Sequence, residues 1–223
     1  MLEINDCNGA NIITALYAEK CMEIFNEPLI GCEMGIAYGG GPETIGKMWK
    51  GRGTIYGFDT FEGHPQDEII DKCRMTQLDG GKNSVAARCM DNWYSQYGVD
   101  KLSIKYQQSQ LDAQGLDNVK LVKGLIDSNT DISFIEKLHY CFLDLDYYKS
   151  MKDAHNLIKS KIVKGGFLLL HDVIPKGQIS GLYDLYCDIM TSQEYRIVVE
   201  APTSCIAVLQ KIKESKSNNL VWL

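Results

Sequence analysis

The chain has 223 residues, 45% hydrophobic and 23% charged. This composition is globular and excludes a mainly disordered chain, and at this length about 70% of the unfolded surface can be buried without a disulfide or zinc staple. Lysine plus arginine number 23 against 29 acids, a formal charge of −6, which argues against a generic nucleic-acid or anionic-membrane binder.

No apolar run reaches the 18 or so residues of a membrane span. The opening MLEINDCNGAN lacks the basic and apolar regions of a secretory signal. The eight cysteines, at 7, 21, 32, 73, 89, 141, 187 and 205, form no CxxC and sit beside no histidine at zinc-like spacing. Most lie in apolar stretches and read as small buried hydrophobes in a reducing cytosol, so a cytoplasmic location is expected. One domain over residues 1–223 is expected, with no membrane and no nucleic-acid partner; a homo-oligomer is neither required nor excluded.

In chain order, residues 10–25 place Ile12, Ile13, Leu16, Cys21, Met22 and Phe25 at helical spacings, and Pro28 stops that helix. LIGCEMG (29–35) reads as a short buried strand ending in glycine. Residues 42–50 open with Pro42, a good first helical residue, and carry Ile45, Met48 and Trp49. Further strands are expected at 54–59, 119–124, 139–146 and 166–173. SMKDAHNLIKSKI (150–162) has Ser150 and Asp153 at capping-box spacing and Ala154, Leu157, Ile158 and Ile162 on one face.

Strands alternating with helices give a doubly wound, mostly parallel α/β sheet, Rossmann-like in plan. The end departs from that rhythm. Residues 195–201 and 204–212 are two strands separated only by Pro202 and Thr203, too short a gap for a parallel crossover, so they form a C-terminal antiparallel hairpin. Between the second and third strands lie about 60 residues, more than a crossover requires. In that surplus, Val85, Cys89 and Trp93 fall four apart, which predicts a helix over 83–97. The stretch at about 62–105 reads as a lid or substrate-binding insert, closing over an acceptor beside the second strand.

EMGIAYGGGPET (33–44) follows the first strand and precedes a helix. Glycines there let the backbone approach a ligand and aim helix N–H groups at an anion. Gly35, Ala37 and Gly40 form an imperfect GxGxxG, and Asp59 ends the second strand 24 residues after Gly35. A carboxylate at that place can accept both ribose hydroxyls of a nucleoside cofactor. Asp144 and Asp146 end the fourth strand, and His171-Asp172 end the fifth. In an open parallel sheet these ends meet in the ligand crevice, where gathered carboxylates need a cation or a proton between them.

EMGIAYGGG, IYGFDTFEGHP, FLDLDYYKSMKDA and GGFLLLHDV together resemble the macrocin O-methyltransferase family over about residues 30–175. The resemblance implies a class I S-adenosylmethionine-dependent methyltransferase, whose version of the fold carries the C-terminal hairpin. It acts on a hydroxyl of a sugar or other polyhydroxylated metabolite, so the implied partner is a small-molecule acceptor. It also implies that Glu33 and Gly35 lie near the methionine part of the cofactor, with Tyr38, Gly40 and Thr44 on the same loop. Asp59 then takes the ribose, Asp127 lies by the adenine, and Asp144 sits beside the cofactor. Two departures are visible. Where the family has a hydroxyl residue after the glycines, this chain has Gly41, with Thr44 further on.

The second departure concerns the metal. The family holds a divalent ion, usually magnesium, with the first acid of DxD and an acidic pair after the next strand. Carried over, Asp144, His171 and Asp172 become the metal set and Asp146 the base. The acidic pair is here His171-Asp172, and imidazole suits manganese, iron or zinc better than magnesium. The expected ion is magnesium or manganese, and two readings stay open: a softer metal than the family's, or His171 as the base itself. A nicotinamide-dependent oxidoreductase and a non-catalytic cofactor-binding subunit are the other classes that the glycine loop and Asp59 admit. His64 is a weaker substrate-facing candidate; His139 and His155 read as structural.

Overall fold

Buried apolar runs and amphipathic segments alternate as expected in the computed structural model, which describes residues 8–63, 99–174 and 180–214. Helix α1 (Asn8–Ile24) leads into β1 (Leu29–Met34), α2 (Gly40–Met48) and β2 (Gly53–Asp59). A 3-10 turn (Val99–Leu102) precedes α3 (Ile104–Ala113), β3 (Val119–Lys123), β4 (Leu138–Leu143) and α4 (Tyr148–Ile158). Then come β5 (Ile162–Leu170), α5 (Ser180–Thr191), β6 (Tyr195–Ala201) and β7 (Ile206–Lys211). The helix expected over 83–97, His64 and most of the insert lie outside the described residues.

The seven strands form one sheet in the order β3-β2-β1-β4-β5-β7-β6. The first five are parallel, and β7 runs antiparallel to both β5 and β6. The chain winds outward from β1 to β3, then crosses back to β4 on the other side of β1. That reversal is the topological switch point, where open α/β sheets form a crevice at the carboxyl ends of their strands. No helix among the described residues is long and apolar enough to cross a membrane.

The reversal also divides the helices. On one face α1, α2 and α3 cover the sheet through Tyr17, Ala18, Cys21, Ile45, Trp49 and Leu111. On the other, α4 and α5 do so through Met151, Ala154, Ile158, Leu182, Leu185 and Ile189. β4 lies between the two layers and is buried at all six positions, which is why it reads as an apolar run broken only by His139. Trp49 is fully buried and donates its indole N–H to the carbonyl of Ala18, tying α2 to α1. Cys21, Cys32 and Cys141 are buried thiols outside any disulfide, and Cys187 is a partly buried one.

Two local expectations need correcting. The hairpin connection is longer than Pro202 and Thr203. It is a 3-10 turn, Pro202–Ser204, followed by Cys205 in the left-handed region at φ 56°. The capping box at Ser150 is not used either. α4 starts at Tyr148 with Tyr147 as N-cap, Ser150 is buried inside the helix, and Asp153 instead pairs with Lys149 one turn back.

His139 and His155 are structural, each in its own way. His139, fully buried in β4, accepts the N–H of Ile30 at Nδ1, 3.0 Å. Its other nitrogen therefore carries the proton, toward Glu27 at 3.1 Å. His155 packs near Tyr195, and its Nε2 has no hydrogen-bond partner. Burial, helped by the cations of Lys159 and Lys211, lowers its pKa from 6.5 to about 4.

The fold therefore holds His155 neutral. Its contribution to stability is complete above about pH 6.5 and is lost as pH falls toward 4, where the unfolded chain takes up the proton first. The depressed value corresponds to about 3 kcal/mol. Urea unfolding between pH 4 and 7 should show His155→Phe with a flatter stability profile than the parent by roughly this amount. An unchanged slope would mean that His155 is not held neutral.

Candidate functional site

Each strand end at the switch point is held one step beyond the strand by the main chain. Gly35 donates to Phe58, Asp144 to Met34, His171 to Leu143 and Gly124 to Asp59, all at 2.9–3.0 Å. The four carboxyl ends that should build a site are thus fixed relative to one another. Just past them, four non-glycine residues adopt the left-handed region: Ala37 after β1, Phe61 after β2, Asp146 after β4 and Asp172 after β5. Such backbone costs on the order of 1–2 kcal/mol per residue, and its clustering on one rim is characteristic of functional sites.

Gly35 makes the closest approach in the crevice. It sits at φ 88°, and a Cβ there would lie 1.8 Å from the carbonyl oxygen of Asp144. Gly41 lies against a side chain instead. A Cβ would lie 2.2 Å from Oε2 of Glu33, so a larger residue there would have to displace the Glu33 carboxylate. The Thr44 hydroxyl donates to the carbonyl of Gly40 within α2. Gly40, at the start of α2, is exposed. Tyr38 lines a cavity of about 240 Å³ with Glu43, Lys101 and Gln107, between α2 and α3.

Glu33 is buried beneath the glycine loop, and its Oε2 has no hydrogen-bond partner. Burial, with Asp144 and Asp59 nearby, raises its pKa well above the usual carboxylate range. A buried acceptor of this kind, beside a helix N-terminus, fits a zwitterionic group: ammonium toward Glu33, carboxylate toward the first-turn amides of α2.

Asp59 anchors the loop. Its Oδ2 accepts the amides of Ile36 and Ala37 at 3.0 and 2.9 Å, and its Oδ1 accepts that of Phe61 at 2.8 Å. The Thr60 hydroxyl is 3.3 Å from Oδ1 but only 2.7 Å from the carbonyl of Gly63. A hydroxyl has one proton, and the shorter contact takes it. Oδ1 therefore keeps one acceptor position for a ligand hydroxyl. Asp127 lies in the turn after β3, where its Oδ1 accepts the amide of Asn129 at 2.7 Å.

Across the switch point the structure brings together Asp144, His171 and Asp172. Nδ1 of His171 is 2.8 Å from Oδ1 of Asp144 and 3.4 Å from Oδ2 of Asp172, and the ring stands edge-on to Phe142. Burial alone would lower the histidine pKa, but the two carboxylates more than offset it and raise it to about 12. The ring is then a proton donor between two anions at neutral pH. The three side chains offer donor atoms within 4.8 Å of one another, and among the described residues this is a group able to hold a metal. One imidazole and two carboxylates suit a divalent ion, so the donor set fits. Tyr147 is buried, and Tyr148 packs among apolar neighbours of the core under Gly181.

A profile of the family described as Macrocin-O-methyltransferase (TylF) matches residues 44–189, about two thirds of the chain. The chain belongs to the macrocin O-methyltransferase family. It is a class I methyltransferase, and this family is S-adenosylmethionine-dependent. The matched range takes in Asp59, Asp127, Asp144, Asp146, His171 and Asp172 and begins just after the glycine loop. Solved structures share the fold. The O-methyltransferase NovP superposes with a TM-score of 0.66 at 17% identity, over 91% of this chain and 79% of its own. The calicheamicin methyltransferase CalS11 gives 0.63 at 16%, over 89% and 79%. An rRNA methylase from Streptococcus thermophilus gives 0.52 at 12%, over 89% and 95%. No curated protein sequence matches significantly.

One further residue against the glycine loop was not picked out from the sequence. Gln107, on α3, is buried and donates its amide to the carbonyls of Ala37, 2.6 Å, and Leu102, 3.1 Å. It ties the glycine loop to the segment that follows the insert. Its signal was a polar residue one helical turn before buried Leu111, on the inward face of the helix.

Two substitutions test this geometry. Asp59→Asn replaces one oxygen by an amide group facing backbone donors and should cost about 2 kcal/mol in urea unfolding. Gly35→Ala should cost more than about 3 kcal/mol or prevent folding, because β1 and β4 must separate. Stability within 0.5 kcal/mol of the parent (roughly the scatter of surface substitutions) would contradict either contact.

Proposed function

We propose that this chain methylates a hydroxyl of a sugar or other polyhydroxylated small molecule, with S-adenosylmethionine as methyl donor. The observation that carries the reading is the Gly35–Asp144 contact, which sets the glycine loop directly against the Asp144, His171 and Asp172 cluster. A cofactor site and a site able to handle a hydroxyl thus share one crevice. Among the structural neighbours, NovP is named as an O-methyltransferase and CalS11 as a TDP-rhamnose 3'-O-methyltransferase, which supports a sugar acceptor. An rRNA methylase has the same fold, but a formal charge of −6 disfavours a polyanionic acceptor.

Bound S-adenosylmethionine supplies a methyl group already activated on sulfonium. The residues of the chain have three tasks. Glu33 and the amides at the start of α2 hold the amino-acid end, and the remaining acceptor position of Asp59 takes a ribose hydroxyl. Asp127 lies on the β3 side, toward the adenine. The second task is orientation of the acceptor oxygen in line with the methyl group, which converts an encounter into a near-unimolecular step. The third is removal of the acceptor proton.

For the proton we assign Asp146, at the strained position after β4. His171 is the weaker choice because its ring already holds a proton between two carboxylates. A divalent ion held by Asp144, His171 and Asp172 would supply Lewis acidity toward the acceptor oxygen.

Calorimetry with S-adenosylhomocysteine and with NAD tests the cofactor directly: binding of the first and not the second is expected. Asp146→Asn should lower kcat by about 10²–10⁴ and leave S-adenosylhomocysteine affinity unchanged. Full turnover in Asp146→Asn would move the base to His171. Removal of divalent metal should abolish turnover and spare cofactor binding; full activity without metal would exclude the Lewis-acid role.

A further inference from the structure

We propose that the Asp144, His171 and Asp172 site selects a borderline divalent transition ion, such as manganese or cobalt, over magnesium. The proposal deepens the methyl-transfer reading and rests on it for what the ion does, although ion binding itself is measured independently.

The donor spacing is the first argument. Ligands at right angles around an ion, each about 2.1 Å from it, lie about 3.0 Å apart, and tetrahedral ligands lie about 3.4 Å apart. The His171 Nδ1 separations of 2.8 Å to Asp144 and 3.4 Å to Asp172 bracket these edges. Each carboxylate therefore stands about one coordination edge from the ring nitrogen, and all three donors lie within 4.8 Å of one another.

The donor chemistry is the second argument. Magnesium demands oxygen ligands and a near-ideal octahedron, and it gains little from an imidazole nitrogen. Manganese, iron, cobalt and zinc all accept imidazole with carboxylates, with affinity rising along that series toward cobalt. In this chain the nitrogen is not peripheral: it is the donor that lies within 3.4 Å of both carboxylates. Its ring stands edge-on to Phe142.

Exposure is the third. The side chains of Asp144, His171 and Asp172 are 31%, 24% and 15% exposed, so the cluster is walled on the sheet side and open toward the crevice. An ion there keeps positions for water or an acceptor oxygen, as a catalytic site requires and a closed structural site does not.

The test uses the metal-free full chain. Manganese(II) is titrated in and the free ion followed by electron paramagnetic resonance, with magnesium as competitor. The expected result is one site and a preference for manganese on the order of 100-fold. Pulsed resonance of the bound ion should show one coupled nitrogen, and cobalt(II) should give a visible spectrum with a nitrogen ligand.

His171→Asp, which restores an all-oxygen set, should lose the nitrogen coupling and cut the preference at least tenfold. His171→Asn is the second variant should the added charge prevent folding, and it too should lose the coupling. S-adenosylhomocysteine affinity is measured alongside: if it persists while no metal binds, the metal proposal fails and the cofactor reading stands. Equal affinity for the two ions, no binding of either, or nitrogen coupling that survives in His171→Asp would each overturn the proposal.

Discussion

β1 and β4 can run side by side to their very ends because residue 35 carries no side chain. A methyl group there would sit inside the Asp144 carbonyl. This one contact sets the geometry of the crevice from both sides. It brings the glycine loop down onto the sheet, with Glu33 beneath it and Asp59 lashing its amides from the neighbouring strand. It also fixes where the chain leaves β4, and so where Asp144 meets the His171-Asp172 pair from β5. A wider gap at the switch point would leave two half-sites facing one another across water.

The same closeness creates an electrostatic problem that the fold answers in three ways. Glu33 is removed from water so completely that its neutral form is favoured. Asp59 remains among backbone N–H groups, which stabilise its charge as water would. Asp144 and Asp172 share a positive ring. Four carboxyl groups thus occupy one crevice without four uncompensated charges. Each answer leaves something for a ligand: an unused oxygen on Glu33, an acceptor position on Asp59, and an open face on the cluster.

The sheet was readable because its signals are local and strong. A buried central strand such as β4 is an apolar run broken only by His139, and the short gap between β6 and β7 admits no parallel crossover. Asp59, Asp144, Asp146 and Asp172 were readable because strand ends in this topology can only face the crevice. What the sequence could not supply were the contacts made at long range. Gln107 reaches Ala37 across 70 residues, and nothing in α3 announces its partner. The closeness of Gly41 to the Glu33 carboxylate likewise becomes visible only in the folded chain. The Ser150 box failed for the opposite reason: a good local signal lost to tertiary packing, which began α4 two residues earlier and buried the serine.

The order of the outermost strands bears on how the protein is made. β6 precedes β7 in the chain, yet β7 takes the inner place, between β5 and β6. On a ribosome, β6 therefore emerges before it has a neighbour to pair with. Until β7 follows, the flank of β5 from Phe167 to Leu170 stays unzipped, although in the finished sheet it is paired along its length. Such an interval leaves a bare, apolar flank open to a strand of some other nascent protein. The sheet is sealed by an insertion rather than by an addition at its rim, and β7 fills that place only as the second strand of its hairpin with β6.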